Sequence, residues 1–175
     1  KVQEFIFKAV KTGCRYLILE TSSHSLDQYR VWGIKYDTAV ITNVTREHLD
    51  YHKTMEDYRK AKALLFKNAR VAVVNLDMEK PEDFLEFRNE EKYGYAIQNQ
   101  KSIPSTRDKN KNDNVKLKII KAKNLELGLE GSVYQIQDTK YHLRLPGKFN
   151  IENALAATCV GLVHGVDLKT VAQAL

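Results

Sequence analysis

Thr38-Ala39-Val40-Ile41-Thr42 is a short β-like run that leads straight into Asn43-Val44-Thr45-Arg46-Glu47-His48-Leu49-Asp50-Tyr51-His52. The same arrangement occurs upstream, where the apolar residues 16–19 lead into Glu20-Thr21-Ser22-Ser23-His24-Ser25-Leu26-Asp27-Gln28-Tyr29-Arg30. An apolar run of four or five residues followed at once by polar and ionisable groups reads as a buried strand opening into a loop. In an open parallel sheet, ligands bind beyond the carboxyl ends of the strands. Glu20, His24, Asn43, His48 and Asp50 are therefore expected to face one crevice.

The pattern continues outward from these two segments. Residues 2–11 read as an amphipathic helix ending at Thr12-Gly13, residues 70–74 as a third strand, and residues 93–96 as a weaker fourth. Strands alternating with helices predict a parallel sheet with helical cover. Residues 98–114 are polar and read as a loop. Residues 115–122, 128–137 and 140–145 read as an antiparallel β-meander. Pro146-Gly147 then breaks the chain ahead of an Ala-rich helix over 150–165, and Asp167 caps a last helix. The expected fold class is α/β: a mostly parallel sheet flanked by helices (residues 1–97), a small antiparallel β subdomain (115–145) and C-terminal helices (146–175). The first helix has no strand ahead of it and the last runs to the end of the chain, so the sequence reads as a piece of a larger protein.

Composition narrows the function. The 175 residues are 43% hydrophobic and 29% charged, as in ordinary soluble domains. No apolar run is long enough to span a bilayer, and no secretory leader is visible. The net charge of +6 is dispersed along the chain, which argues against a nucleic-acid groove. The two cysteines, Cys14 and Cys159, make no metal or redox motif and read as buried thiols of a reducing cytoplasm.

One lysine stands out. Thr54-Met55-Glu56-Asp57 resembles a capping box. In the helix that follows, to about Lys67, the residues Met55, Tyr58, Leu65 and Phe66 share one face, and Lys62 falls in the middle of it. Two readings are open. Lys62 snorkels to the rim, or it points into the site that holds Glu20 and His48. A desolvated lysine loses its proton more readily, and the free amine can attack carbon dioxide to give a carbamate, an anion able to support a hard cation. Glu20 and His48 suit Mg²⁺ or Mn²⁺, and the absence of neighbouring thiols argues against structural zinc. Taken singly, Glu20 also reads as a strand-end acid and His48 as a helix-start residue.

These segments together resemble the central domain of the Mur ligases of peptidoglycan synthesis, and among them the MurE family. That family adds the third amino acid to UDP-N-acetylmuramoyl-L-Ala-D-Glu. The resemblance is carried by Glu20 to Arg30, by Thr42 to His52, by Ala61-Lys62, by Asn75-Leu76-Asp77, and by Leu145-Pro146-Gly147-Lys148-Phe149-Asn150-Ile151-Glu152-Asn153-Ala154-Leu155-Ala156-Ala157. It implies that Glu20 and His48 ligate Mg²⁺, and that Lys62 is a carbamylated lysine supporting a second Mg²⁺. It further implies that Ser22, Gln28 and Arg30 hold the UDP-muramoyl peptide, and that Asn150 and Asn153 contact the adenine side of ATP. For Asn150 helix capping is the competing reading. His48 and Lys62 would be the catalytic pair.

The implied reaction phosphorylates the D-Glu side-chain carboxylate with ATP. An incoming amino group, of diaminopimelate or lysine, then displaces phosphate. Metal ions and cationic side chains relieve the repulsion between the reacting anions. Ser22-Ser23-His24 does not make a hydrolase, because no Gly-x-Ser-x-Gly elbow is present. The full-length enzyme is expected to be a cytoplasmic monomer without nucleic-acid or membrane partners. The chain contains no Gly-x-x-x-x-Gly-Lys-[Ser/Thr] phosphate loop, so the 175 residues alone are expected to lack ligase activity and to bind nucleotide weakly. Two alternatives are a non-catalytic substrate-binding remnant and another ligase of the same fold, such as a folyl-polyglutamate synthase.

Overall fold

The computed structural model describes residues 2–45, 51–97 and 115–175. The loop expected over 98–114 lies outside these residues, as do His48 and Asp50.

Among the described residues, six strands form one sheet in chain order: β1 (Thr38–Ile41), β2 (Val71–Asn75), β3 (Glu91–Ile97), β4 (Leu117–Leu127), β5 (Ser132–Ile136) and β6 (Thr139–Leu143). Strands β1 to β4 run parallel and β4 to β6 antiparallel. The helices are α1 (Val2–Lys11), α2 (Ser23–Asp27), α3 (Met55–Lys67), α4 (Glu82–Leu85), α5 (Lys148–Val163) and α6 (Leu168–Ala174).

Successive side chains of a strand point to opposite faces, and β2 is buried along its whole length. Val71 and Val73 join Tyr93, Tyr95, Ile97, Ile151 and Leu155 in a core on one face. Ala72 and Val74 join Ile41, Leu76, Phe66 and Phe84 on the other. Burial on both sides is what a parallel strand with helices on each face requires. Gly94 keeps the second face thin, since a Cβ there would lie 2.6 Å from Leu76 Cδ1. Helix α3 starts where its sequence says it should: Thr54 Oγ1 accepts from the Asp57 amide and donates to Asp57 Oδ2. Asp167 caps α6 in the same way, accepting from the amides of Lys169 and Thr170.

Strand β4 belongs to both halves of the sheet. Leu117 to Ala122 pair in parallel with β3, a register irregularity follows between Lys123 and Glu126, and the remainder pairs antiparallel with β5. The expected meander is thus antiparallel only from that irregularity onward. Residues 128–131 form the turn into β5, closed by the Gly128 amide on the Gly131 carbonyl, rather than the start of a strand. At the opposite end of the parallel strands, Arg70 bridges Asp37 and Glu91, and Lys118 also pairs with Glu91. The Arg70 guanidinium holds the Asp37 carboxyl below the usual carboxylate range. This contribution is complete above the ordinary carboxylate range and fades as pH falls through the lowered value.

Three expectations need correction. Residues 16–19 do not form a buried strand: Tyr16 and Ile18 are 63% and 97% exposed, and the segment has no strand assignment. Residues 16–19 join no ladder, and among the described residues β1 is an edge strand paired only with β2. Cys14, which follows α1, is exposed, while Cys159 is buried and its thiol is pushed up to about 12 by desolvation. Helix α5 begins at Lys148 with Gly147 as N-cap, not at Asn150. The positive φ of Gly147, 98°, sets the chain entry there, a conformation that glycine adopts freely.

Candidate active site

The carboxyl ends of β1, β2 and β3 are tied together by three side chains, those of Asn75, Asp77 and Tyr95. Asn75, buried at the end of β2, donates from Nδ2 to the Thr42 carbonyl at 2.8 Å and accepts the Asp77 amide on Oδ1 at 2.9 Å. Asp77 Oδ2 then accepts the Ile97 amide at 2.6 Å. Tyr95 reaches across β2 from β3 and donates its hydroxyl to the Ile41 carbonyl. These bonds fix where the chain leaves β1 toward Asn43, whose own Oδ1 accepts the Val44 amide. The Asn75→Ala change leaves the Asp77 amide and the Thr42 carbonyl without partners. We expect a loss of about 1–3 kcal/mol, read as a lower urea midpoint at unchanged slope; an unaltered midpoint would show that the tie is dispensable.

The loop after residue 19 folds onto the start of α3. Ser22 is the N-cap of α2, its Oγ accepting the Ser25 amide and pairing with Ser25 Oγ at 2.9 Å. Ser23 is 2% exposed and meets Nε2 of His52, itself 5% exposed, at 3.0 Å. The His52 ring contacts Tyr58 on α3 at 5.3 Å and Tyr51 at 4.8 Å. Tyr51 also packs on His24 at 4.2 Å, donates to Asp27 Oδ2 at 2.7 Å and accepts from Gln28 Nε2 at 3.3 Å. Lys62 is half-buried one turn along α3, with Nζ 5.2 Å from the centre of the Tyr58 ring. A lysine over an aromatic face is stabilised there as a cation.

The structure thus brings Ser22, Gln28 and the start of the Lys62 helix into one neighbourhood through Tyr51, His52 and Tyr58. Glu20 and Arg30 lie exposed at the two ends of the same loop. His48 lies in the undescribed segment between β1 and Tyr51. At the other end of the chain, Asn150 sits in the first turn of α5 and donates from Nδ2 to the Pro146 carbonyl at 2.7 Å, while Asn153 is exposed on the same helix. Between them in sequence, Glu152 is buried, 3.6 Å from Lys148 Nζ, and burial raises its carboxyl above the usual range. Among the described residues, no group of three His, Cys, Asp or Glu side chains is gathered for a metal.

Sequence reading missed Ser23, Asp27, Tyr51, His52 and Tyr58 as a connected group. The signal was present as Tyr51-His52 directly after the Asn43 segment, but its partners are 23 to 29 positions away.

Residues 1–161 match the family model of the Mur ligase middle domain. The chain belongs to the Mur ligase middle domain family. Among similar proteins is the UDP-N-acetylmuramoyl-L-alanyl-D-glutamate–2,6-diaminopimelate ligase of Bacillus cereus, 36% identical over 97% of this chain and 34% of its own length. The ligase of the same name from Caldanaerobacter subterraneus is 36% identical over 99% of this chain and 34% of its own length. This Mur ligase middle domain therefore spans about a third of the curated relatives it matches. Solved structures share its fold. A pseudomurein peptide ligase type C from Methanothermus fervidus superposes with a TM-score of 0.60 at 20% identity, covering 89% of this chain and 36% of that one. MurF from Acinetobacter baumannii gives 0.58 at 18% identity, covering 81% and 29%. No described helix of this Mur ligase middle domain is long and apolar enough to cross a membrane.

Proposed function

We propose that this Mur ligase middle domain is the core of a cytoplasmic, ATP-dependent ligase that adds the third amino acid, diaminopimelate or lysine, to UDP-N-acetylmuramoyl-L-Ala-D-Glu through an acyl phosphate. The observation that carries the reading is the docking of the Ser22–Gln28 turn on Tyr51, His52 and Tyr58, which brings that turn beside the helix of Lys62. Two relatives at 36% identity named as diaminopimelate ligases support the substrate class.

In this reading Ser22, Gln28 and Arg30 bind the UDP-muramoyl dipeptide. Arg30 suits a carboxylate or phosphate because its fork donates two parallel bonds. The Ser22 hydroxyl already caps α2, so its position is fixed before substrate arrives. Asn150 and Asn153 present amides to the nucleotide base from the first two turns of α5.

The donor set fits a hard divalent cation: a carboxylate at Glu20, an imidazole at His48 and, once carbamylated, oxygen at Lys62, with neither cysteine among them. Bound Mg²⁺ supplies neutralisation of the phosphate charge. For carbamate formation, the Lys62 ammonium first gives one proton to solvent; the neutral amine then bonds to the carbon of carbon dioxide and releases a second proton, so that a cation becomes an anion on the same stem.

The test is product formation by the full-length protein. With ATP, UDP-N-acetylmuramoyl-L-Ala-D-Glu and diaminopimelate or lysine, a tripeptide product forms and phosphate is released in equal amount; with the dipeptide omitted, release stops. The 175 residues alone, which carry no phosphate loop, give no product. Dipeptide-independent phosphate release, or turnover by the 175 residues alone, would overturn the reading.

A further inference from the structure

Three groups meet at the edge of α2. Tyr51 Oη lies 2.7 Å from Asp27 Oδ2 and 3.3 Å from Gln28 Nε2. A phenol has one hydrogen to give, and a carboxylate only accepts. The Tyr51 hydrogen is therefore spent on Asp27, and the Tyr51 oxygen can only accept from Gln28. That fixes the amide of Gln28, whose two ends are otherwise interchangeable: its NH₂ faces Tyr51, and its carbonyl oxygen is turned away. The reversed amide would set two acceptor oxygens against each other. The Tyr51 ring is itself held, packed on His24 at 4.2 Å and on His52 at 4.8 Å, and His52 is anchored to buried Ser23.

We propose that Tyr51 is a positioning residue that fixes the polarity of Gln28, so that Gln28 offers a carbonyl acceptor to an N–H or O–H donor of the bound UDP-muramoyl dipeptide. This rests on the function proposed above and adds a direction to it. Gln28 reads a donor on the ligand, and a ligand with only acceptors at that position is rejected because two lone pairs would meet. Asp27 is the second part of the device, since its charge decides which way the Tyr51 hydrogen points.

The experiment uses the full-length protein with UDP-N-acetylmuramoyl-L-Ala-D-Glu as probe. Tyr51→Phe removes one oxygen and keeps the ring on His24 and His52. The KM for the muramoyl dipeptide rises roughly 3- to 10-fold, the size of one lost oriented hydrogen bond, while the KM for ATP and the melting temperature hold. Gln28→Ala raises the same KM, and adding Tyr51→Phe to it raises it no further, because Tyr51 acts through Gln28. Asp27→Asn, which is isosteric and lets the Tyr51 hydrogen turn to Gln28, also raises the dipeptide KM; it carries the test if Tyr51→Phe folds poorly. An unchanged dipeptide KM in Tyr51→Phe and Asp27→Asn, or additive effects with Gln28→Ala, would overturn the inference while leaving the functional reading intact. A parent protein that does not turn over the dipeptide at all would overturn both.

Discussion

Replacing Lys62 by alanine in the full-length protein lowers ligation by about 10²–10³-fold, the scale of losing one preorganised charged group from such a site. Alanine is the best helix former, and Lys62 is only half-buried, so α3 persists and the melting temperature changes little. The loss therefore reports chemistry rather than folding. Lys62→Arg discriminates between the two readings of this residue. Arginine keeps the positive charge over Tyr58 but stays protonated and cannot attack carbon dioxide. If Lys62 acts as a carbamate, Arg fails as completely as Ala, and a short carboxylate such as formate restores part of the activity of the alanine variant. If Lys62 only snorkels to the rim, both variants retain near-parental rates. Steady-state ligation with and without added formate checks this directly.

The largest effect on stability is expected one turn further along the same helix. Phe66 is fully buried, 5.5 Å from the ring of Phe84 in an edge-to-face pair, within the core that includes Val74 and Leu76. Truncation to alanine removes the ring and leaves a cavity between α3, α4 and the sheet, at a cost of about 3–5 kcal/mol. That is a large part of the 5–15 kcal/mol or so that holds a typical domain together. Phe66→Leu, which keeps most of the volume, costs under about 1.5 kcal/mol. Urea unfolding of the two variants checks the difference; equal midpoints would mean that α3 is not seated by this side chain. Because Phe66 lies four residues after Lys62, on the same side of the helix, the alanine variant also loosens Lys62 and lowers activity.

The legible parts of the fold were those in which local pattern and tertiary role agree. The runs at β1 and β2 are apolar and bounded by polar residues, and both became strands. Thr54 and Asp167 announced the helices they cap. Residues 16–19 show the limit: their apolar pattern is the same whether or not a neighbouring edge is there to pair with. The two-way pairing of β4 was hidden for a related reason, since alternation in Leu117–Leu127 does not say in which direction each neighbour runs. Asn150 invited a capping role by residue type, but Gly147 supplies the turn and Asn150 reaches back to the Pro146 carbonyl instead.

The candidate site was legible as residue types following two apolar runs. Its internal wiring was not, because no spacing rule relates Ser23 to His52 or Tyr51 to Asp27 and Gln28. In the sequence, Asn75-Leu76-Asp77 is a motif whose residue types alone do not disclose a role. The structure gives it one, in joining the ends of β1, β2 and β3 beneath the loops.

The most direct measurement follows an oxygen atom. UDP-N-acetylmuramoyl-L-Ala-D-Glu labelled with ¹⁸O in the D-Glu side-chain carboxylate is turned over by the full-length protein with ATP and the amino acid, and the released phosphate is analysed by mass spectrometry. An acyl phosphate keeps one carboxylate oxygen bonded to phosphorus when the amine displaces phosphate, so each released phosphate carries one ¹⁸O. Phosphate that leaves without label would contradict ligation through an acyl phosphate and remove the proposed role of this domain.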